Sequence, residues 1–159
     1  MANIIYMKIT GKKLGLISAL SSSSESIGSK MQQNHIDEIL VYSIDHELTY
    51  HDNVMHHPIS ITKPLDRSSP LLAQAIAEGD IMECEINFYR TAIQGGYEHY
   101  YSISLNNAKL MSISSHFPNS LTHNDQQPYE QLTMIYECIG WKHIAASSFA
   151  YSFWENRPV

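Results

Sequence analysis

The chain has 159 residues, of which 16% are charged and 43% are apolar, and its formal net charge is −6 at pH 7. This length fits one domain that buries roughly two thirds of its unfolded surface. The densest basic pair is Lys12-Lys13, which excludes nucleic acid as the main ligand because a phosphate-binding surface needs clustered Lys and Arg. No apolar run approaches the ~20 residues of a membrane span, so no membrane insertion is expected.

The low charge also bears on the surroundings of the chain. An ordinary domain carries roughly 25% charged residues, so we expect a partner to cover part of this surface. The N-terminal segment lacks the basic-then-apolar layout of a signal peptide, which predicts a cytosolic protein. Cys84 and Cys138 lie in strand patterns without a C-x-x-C motif. They are predicted to be buried, reduced thiols, with a structural disulfide as the alternative.

The first elements in chain order are a strand and a long loop. Alternating apolar residues predict a strand over residues 4–10, and Gly11 ends it. The Ser-rich stretch from Lys12 to Asp37 is predicted to be a loop, and loops of this length are usually functional or disordered. It carries too many apolar side chains for a solvated linker, so another surface should cover them. Those singled out are Leu16, Ile17 and Leu20.

Residues 38–50 are predicted to form one long strand with two unlike faces. The face directed at the core carries Leu40, Tyr42, Ile44 and Leu48. The opposite face carries Ser43, Asp45 and Glu47. A wholly polar stripe of this length must line water, either outside the protein or inside a wide channel. Residues 51–57, which follow, are predicted to be irregular.

The clearest helix signal spans residues 69–78, between two strands. Ser69 is predicted to cap this helix, and Pro70 to occupy its first position, where a missing N–H costs nothing. Leu72 and Ile76 fall on one face and are expected to anchor the helix to the protein core. A glycine after the last turn supplies the left-handed residue that ends it.

The remainder of the chain is predicted to be strands. Their ranges are 82–90, 99–105, 108–114, 129–142 and 147–154, with turns at 94–96 and 106–107 and a loop at 116–128. Glu83 and Glu85 form a polar stripe on the first of them, whereas Ile135, Ile139 and Trp141 make the fourth apolar on both faces. Both faces of that strand should therefore be covered, which favours a ring or tetramer over a monomer.

About eight antiparallel strands and one short helix predict a mainly β fold. The architecture is either an antiparallel β-barrel or two packed sheets with the helix at the side. Nine histidines show no metal-ligand spacing, and no G-x-S-x-G motif is present. The residues alone thus predict a non-enzymatic assembly module without a cofactor.

Several segments of the chain resemble the Hcp family, the haemolysin co-regulated tube proteins of the bacterial type VI secretion system. The likeness is strongest at ITKPLDRSSPLL, residues 61–72, which looks like the family's strand-to-helix signature. It begins with NIIYMKITGKKLGLIS at residues 3–18 and continues through CEINFYR at residues 84–90. It ends near Gly140-Trp141 and Trp154-Glu155, and so covers nearly the whole chain.

This resemblance implies a β-barrel protomer with one helix that closes into a homohexameric ring. Rings stack into the inner tube that a contractile sheath drives out of the cell. The implied partners are further copies of the chain, the VgrG spike, the sheath, the baseplate and effector proteins held in the lumen. Such proteins are made in the bacterial cytoplasm and secreted without a signal peptide. The chain is expected to be a single tube domain over residues 1–159, without a C-terminal effector extension.

The resemblance implies a role for each set of candidate residues. Ser43, Asp45 and Glu47 should line the lumen and contact effectors. Leu16, Ile17 and Leu20 should contact the neighbouring ring in the stack. The ring interface should contain Glu83, Glu85, Ile135, Ile139 and Trp141. The alternatives are a β-sandwich adaptor that does not assemble into tubes and an enzyme that uses the His-rich loops.

Overall fold

The structure is a computed structural model that describes residues 3–158. Met1, Ala2 and Val159, which the single-domain prediction includes, lie outside the described residues. The first strands are β1 (Asn3–Gly11), β2 (Gly15–Leu16), β3 (Ile39–Val41), β4 (Ser43–Asp45), β5 (Leu48–His51), β6 (Asn53–His56) and β7 (Ile59–Pro64). The later strands are β8 (Met82–Thr91), β9 (Tyr97–His116), β10 (Tyr129–Ile135), β11 (Cys138–His143) and β12 (Ser148–Phe153). The α-helices are α1 (Ser24–Ile27) and α2 (Ser68–Glu78).

The described strands pair antiparallel throughout and form two layers that share β9. The first layer contains β2, β3, β1, β8, the first half of β9, β11 and β12. The second layer contains β4, β7, β10 and the second half of β9. The fold is thus mainly β with two packed sheets, as the alternating apolar pattern predicts.

Strand β9 replaces the two strands that were predicted on either side of Asn106-Asn107. It runs for 20 residues, and its partners change from β8 and β11 to β10 near Asn107. Asn107 has a φ of 47°, a left-handed conformation that Asn tolerates better than most residues. The predicted turn is therefore wrong, because this residue bends a continuous strand from one layer into the other.

The core lies between the inner faces of the two layers. It contains buried aliphatic side chains from nearly every long strand, closed at one side by helix α2. The fully buried members include Met7, Ile9, Ile39, Ile59, Ile61, Leu72, Met82, Ile86, Leu105, Leu132, Met134 and Ile139. Burial of this apolar surface, at about 25 cal/mol per Å², is the main force that holds the layers together.

Helix α2 begins with a different cap from the one expected. Asp66 accepts a hydrogen bond from Ser68 N at 2.9 Å, and Ser69 Oγ accepts one from Asp66 N at 3.0 Å. These reciprocal bonds satisfy backbone donors as a capping box does. The helix begins at Ser68 after Arg67, whose side chain makes no capping bond, so Ser69 is not the cap and Pro70 is the third helical residue. Leu72 is fully buried as predicted, whereas Ile76 is only half-buried.

A buried ionic cluster ties the start of this helix to the sheet. The Lys63 ammonium group pairs with Asp66 at 3.0 Å and also with Glu130, and these three side chains are almost entirely inaccessible to solvent. Ser69 Oγ donates to Glu130 at 2.7 Å, and Lys63 donates to Pro64 O at 2.9 Å. Because buried charges are tolerated only when they are paired, the cluster fixes β7, β10 and the helix start relative to one another.

The single strand predicted over residues 38–50 is interrupted, which changes its core face. Ile39 and Val41 are buried in β3, a bend follows at Tyr42, and Ile44 then points inward from β4. The bend shifts the alternation by one residue. Tyr42 and Leu48, which were assigned to the core, are consequently exposed.

The strand predicted over residues 129–142 is interrupted as well. It breaks between β10 and β11 at Tyr136 and Glu137. Ile135 and Ile139 are buried inside the described chain, and Trp141 is half-buried against the same core. The expectation that a neighbouring subunit covers this strand is therefore wrong for Ile135 and Ile139, because the protomer's own sheets and connectors cover both.

Residues 48–56 form a β-hairpin, and its second strand lies in the segment over residues 51–57 that was expected to be irregular. Strands β5 and β6 pair with each other, and within the described residues neither pairs with the two main layers. Asp52, at the turn, has a φ of 64°, which Asp adopts more readily than most residues. The hairpin is therefore a projecting element whose position depends on the side chains at its base.

Candidate interaction surfaces

The second layer presents a polar surface on the side opposite the core. Its side chains come from four neighbouring strands and form two rows across the sheet. One row is Ser43, Thr62, Gln131 and Ser114, and the next is Asp45, Ser60, Thr133 and Ser112. We call these eight residues the hydroxyl face. Six of the eight carry hydroxyl groups, which occupy little volume and bond readily to water or to a polar ligand.

The hydroxyl face contains two of the three residues predicted to line a channel. Ser43 and Asp45 are exposed on β4 and belong to it, whereas Glu47 is exposed on the connection between β4 and β5. Asp45 is the one charged group among the eight. Sequence alternation identified the stripe on one strand, but the three neighbouring strands that widen it into a face could be recognised only from the pairing register.

The outer side of the first layer is a second candidate surface. One row crosses five strands and consists of Lys8, Glu85, Ser104, Gly140 and Tyr151. Glu85 is exposed, and so is Glu83 in the neighbouring row, as expected of an interface stripe. Glu83 also accepts hydrogen bonds from Asn106 Nδ2 at 2.9 Å and from Asn107 N at 3.0 Å.

Strand β12 lies at the end of this row and carries exposed aromatic side chains. The sequence pattern did not identify them as a site. Phe149, Tyr151 and Phe153 are 65%, 62% and 52% exposed and point to one side of the strand. Within the described residues β12 pairs only with β11, so it is also an edge strand. An aromatic row on an open edge is a feature that natural proteins normally cover. We call this row the aromatic edge.

Gly140 has no side chain, which leaves room for the Phe149 ring beside the sheet. A Cβ atom at this position would lie 2.7 Å from Ser104 Oγ and 3.6 Å from Phe149 Cε2. The first distance is shorter than real contacts allow. The missing side chain thus keeps a shallow depression in the row, and the Phe149 ring lies beside it.

The loop from Lys12 to Asp37 is ordered by contacts with the rest of the chain. Asp80 accepts hydrogen bonds from Lys13 N at 3.0 Å and from Leu14 N at 3.3 Å. Arg67 donates to Ala19 O at 2.7 Å, and its backbone N donates to Ser26 Oγ at 2.8 Å. The loop therefore takes a fixed shape beside the start of helix α2.

The three apolar residues predicted to meet a neighbouring ring divide in the structure. Leu16 and Leu20 are 38% and 48% exposed, in agreement with a surface role. Ile17 is fully buried, because its backbone N donates to Ile9 O at 3.0 Å and so turns the side chain into the core. The expectation that Ile17 is left exposed in one subunit is wrong.

The β5–β6 hairpin presents further apolar surface that the sequence did not identify. Leu48, Tyr50, Val54 and Met55 are all exposed, with Tyr50 at 78%. A groove of about 690 Å³ separates the hairpin from the aromatic edge and the C-terminal residues. Apolar groups in this number on a projecting hairpin are typical of a contact surface.

A chain of hydrogen bonds holds the base of the hairpin. His46 Nε2 and His56 Nδ1 each lie 2.9 Å from the Tyr136 hydroxyl oxygen, and His56 Nε2 lies 2.9 Å from Ser152 Oγ. The His56 ring also stacks on Trp154, with ring centroids 5.8 Å apart. We call His46, His56, Tyr136 and Ser152 the anchor network. It joins both feet of the hairpin to the β10–β11 connection and to β12.

The described residues contain no group of three or more His, Cys, Asp or Glu side chains arranged to hold a metal ion. Between Asn3 and Pro158, no helix is both long and apolar enough to cross a bilayer. The candidate interaction surfaces described above are the hydroxyl face, the aromatic edge, the loop from Lys12 to Asp37 and the hairpin.

Known proteins with similar sequences and structures agree on one family. The family model described as "Type VI secretion system effector, Hcp" matches residues 6–143. The "Major exported protein" of Pseudomonas aeruginosa is 32% identical over 176 residues, which cover 100% of this chain and 99% of that protein. The "Uncharacterized protein YhhZ" of Escherichia coli K12 is 33% identical over 153 residues, 95% of this chain but 38% of that protein.

Solved structures match over the same extent. A crystal structure described as that of an Hcp protein aligns with a TM-score of 0.92 and 30% identity, covering 98% of this chain and 100% of the other. The secreted protein Hcp3 from Pseudomonas aeruginosa aligns with a TM-score of 0.86 and 32% identity, covering 95% and 99% of the two chains. Since the family model, the full-length relative and the fold agree, this chain belongs to the Hcp family of type VI secretion proteins.

Proposed function

We propose that six copies of this chain close into a ring, and that rings stack into the inner tube of a type VI secretion machine. The hydroxyl face is the observation that carries the proposal. It is a broad, smooth polar surface on the side of a sheet whose other side is core. A solvated sheet face usually carries many charged side chains, whereas this one has a single carboxylate among short polar groups, which suits the inner wall of a ring that admits water and cargo.

Cargo proteins would be held against the hydroxyl face. The face consists mainly of short polar side chains, so it leaves room in the lumen and offers many weak hydrogen bonds. Six copies of Asp45, with Glu47 close in sequence, would give the lumen a negative potential that a surrounding protein wall strengthens. The favoured cargo is therefore a protein with a basic or polar surface, held weakly and in a salt-dependent way.

The aromatic edge and the row that leads to it would form the contact between neighbours in the ring. A cyclic ring uses a heterologous interface, in which one surface of each subunit meets a different surface of the next. The aromatic edge supplies large apolar contacts of the kind that dominate interface energies. Glu83 and Glu85 lie on the same side of the sheet and would belong to the polar part of this interface.

Stacking would use the two projecting apolar surfaces. Leu16 and Leu20 of the loop and the exposed residues of the β5–β6 hairpin would contact the next ring along the tube. The further partners would be the VgrG spike at the tube tip, the sheath and baseplate around it, and effectors in the lumen. The protein would be made in the cytoplasm and leave the cell through the machine, acting structurally rather than as an enzyme.

Native mass measurement tests the ring. We expect a species of six subunits for the unmodified chain, and a folded monomer for Tyr151→Glu because charge on the aromatic edge opposes its burial. Phe117→Glu is the matched control, since Phe117 is 65% exposed, close to the 62% of Tyr151, but lies outside this edge. A monomeric or dimeric unmodified chain would instead favour an adaptor that does not assemble into tubes.

A further inference from the structure

We propose that the anchor network makes the position of the β5–β6 hairpin dependent on pH, so that uptake of two protons releases the hairpin from the body of the protomer. This inference rests on the proposed function only in its consequence, which is that stacking weakens in mildly acidic surroundings. The release itself is a property of the folded chain.

Within the described residues, the hairpin has no strand pairing with the rest of the protomer. Strands β5 and β6 pair with each other and, within residues 3–158, with no other strand. His46 precedes β5 and His56 ends β6, so the two histidines lie at the two feet of the hairpin. Their hydrogen bonds to Tyr136 and Ser152 therefore hold the hairpin to the body of the protomer, as backbone hydrogen bonds between strands hold the other strands.

The hydroxyl group of Tyr136 limits the number of protons that the closed network can hold. A phenol hydroxyl donates one hydrogen bond and accepts two. With one neutral imidazole accepting from Tyr136, the other can donate to it through the N–H of its own neutral ring, so the closed network is complete when both histidines are neutral. When both His46 and His56 are protonated, both nitrogens facing Tyr136 are donors, and the Tyr136 proton then loses its partner in the network.

Protonation of both His46 and His56 also carries an electrostatic cost. The two imidazole nitrogens are separated by no more than two hydrogen bonds of 2.9 Å each, so two charges would repel at short range. Burial lowers the pKa of His46 and the His56 imidazole lowers it further, against a backbone hydrogen bond at His57 that raises it. Burial likewise lowers the pKa of His56, and this effect outweighs a backbone hydrogen bond at Phe153 that raises it. The closed hairpin thus favours neutral histidines.

The carboxylates on the surrounding elements do not offset this cost. Glu137 bonds to Asn107 Nδ2 at 2.7 Å and lies 3.8 Å from Arg157, while Glu155 lines the outer groove. Asp45 and Glu47 flank His46 in sequence but are exposed. No carboxylate is among the groups that raise the pKa of either histidine.

The sign of the pH dependence follows from these lowered pKa values. Above the unfolded value of about 6.5 both histidines are neutral in either state, and the closed form has its full stability. As pH falls below about 6.5, the released hairpin binds protons that the closed one resists, so the closed form loses stability. Each proton changes the open-to-closed ratio by up to about tenfold per pH unit, and two protons by up to about a hundredfold.

Hydrogen exchange of the full-length protein tests the release directly. We expect protection of the amides in residues 48–56, corrected for the intrinsic pH dependence of exchange, to fall between pH 6.5 and 5.0 with a slope above one proton. His46→Gln should reduce the slope to one proton or less, because the amide can still bond to Tyr136 but does not titrate. His51→Gln on the same hairpin is the control and should keep the original slope.

Two results would overturn the inference. One is protection of residues 48–56 that stays constant from pH 7.5 to 5.0; the other is an unchanged slope in His46→Gln. Should that variant fail to fold, NMR titration of the unmodified protein decides instead. His46 and His56 must then protonate together with the loss of protection, and independent titration near 6.5 with unchanged amides refutes the proposal. Failure of the chain to form rings at any pH would refute the proposed function but leave this measurement valid.

Discussion

Lys63, Asp66 and Glu130 place one cation and two carboxylates inside the protomer, where solvent does not reach them. We expect Lys63→Met to lower the free energy of unfolding by about 3–5 kcal/mol, because it leaves two buried carboxylates without their cation. Denaturant unfolding of the protein measures the change. Glu98→Gln is the matched control, since it breaks the partly exposed Arg90–Glu98 pair and should cost at most about 1 kcal/mol. Equal small losses in both variants would contradict the role assigned to the cluster.

Leu72 anchors helix α2 to the sheets and offers a second test at the level of one side chain. Its side chain is fully buried, so Leu72→Ala should lower the free energy of unfolding by about 2–5 kcal/mol through lost burial and a residual cavity. Ala73, its neighbour, is exposed, and Ala73→Ser should change stability by less than about 1 kcal/mol. An unchanged melting temperature for Leu72→Ala would show that the helix does not pack as described.

Single residues also mark the limit of what the sequence could predict. Ile17 belongs to a loop whose composition suggests exposure, yet one backbone bond to Ile9 turns its side chain inward. Ile139 was read as a contact with a neighbour because the strand around it is apolar on both sides. Composition and alternation identify apolar residues, but they do not distinguish burial within a subunit from burial between subunits. We now expect Ile139→Asp to unfold the chain rather than release folded monomers.

At the level of elements, the alternation of side chains located most strands and failed where strands bend. Tyr42, Asn107 and Tyr136 each lie at a break or bend that shifts the pattern or moves the chain between layers. Such a bend can shift the alternation by one residue, so a period of two continued across it assigns the later side chains to the wrong face and does not show that the pairing partner has changed. The helix was located correctly because apolar spacing, an early proline and a terminal glycine agree, even though Ser69 is not its cap.

The β5–β6 hairpin and the loop from Lys12 to Asp37 give the prediction that belongs to this scale. We expect Tyr50→Asp and Leu20→Asp each to leave the ring of six intact and to reduce or abolish stacking into tubes, because each places a charge on an exposed apolar contact. Electron microscopy and native mass of the same sample measure both. Asp also tolerates the left-handed backbone of Leu20, where φ is 56°.

Point variants are preferable to deleting the loop. Ser18, Ser21 and Ser22 are buried within it, and Ser18 Oγ accepts a hydrogen bond from Ile9 N at 3.3 Å. Deletion would therefore damage the subunit as well as any stacking surface. Tyr97→Asp provides the control, since Tyr97 is similarly exposed but lies at the far end of the β8–β9 hairpin. Normal tubes from both test variants would remove these two surfaces from the stack.

At the scale of the whole molecule, the two layers have unlike outer sides. The proposal that the hydroxyl face lines the lumen can be tested directly. Asp45→Arg should leave the ring and the tube unchanged while altering which effector proteins co-purify, because it reverses the one charge on the hydroxyl face. Asp125→Arg, in the exposed loop after β9, is the matched control and should leave cargo unchanged. Cargo retention that is indifferent to Asp45→Arg and to a bulky residue at Ser43 would place this face on the outside.

The pairing of β1 with β8 has a consequence for synthesis of the chain on the ribosome. Asn3 pairs with Arg90 and Gly11 with Met82, so each match joins residues that are translated far apart. At about 5–20 residues per second, β8 follows β1 after roughly 4–16 s. During that interval β2 and β3 can pair only with the opposite edge of β1, and the whole edge that β8 later occupies remains open to other nascent chains. Slowed translation between these strands should therefore lower the yield of soluble protein even though the finished fold is unaltered.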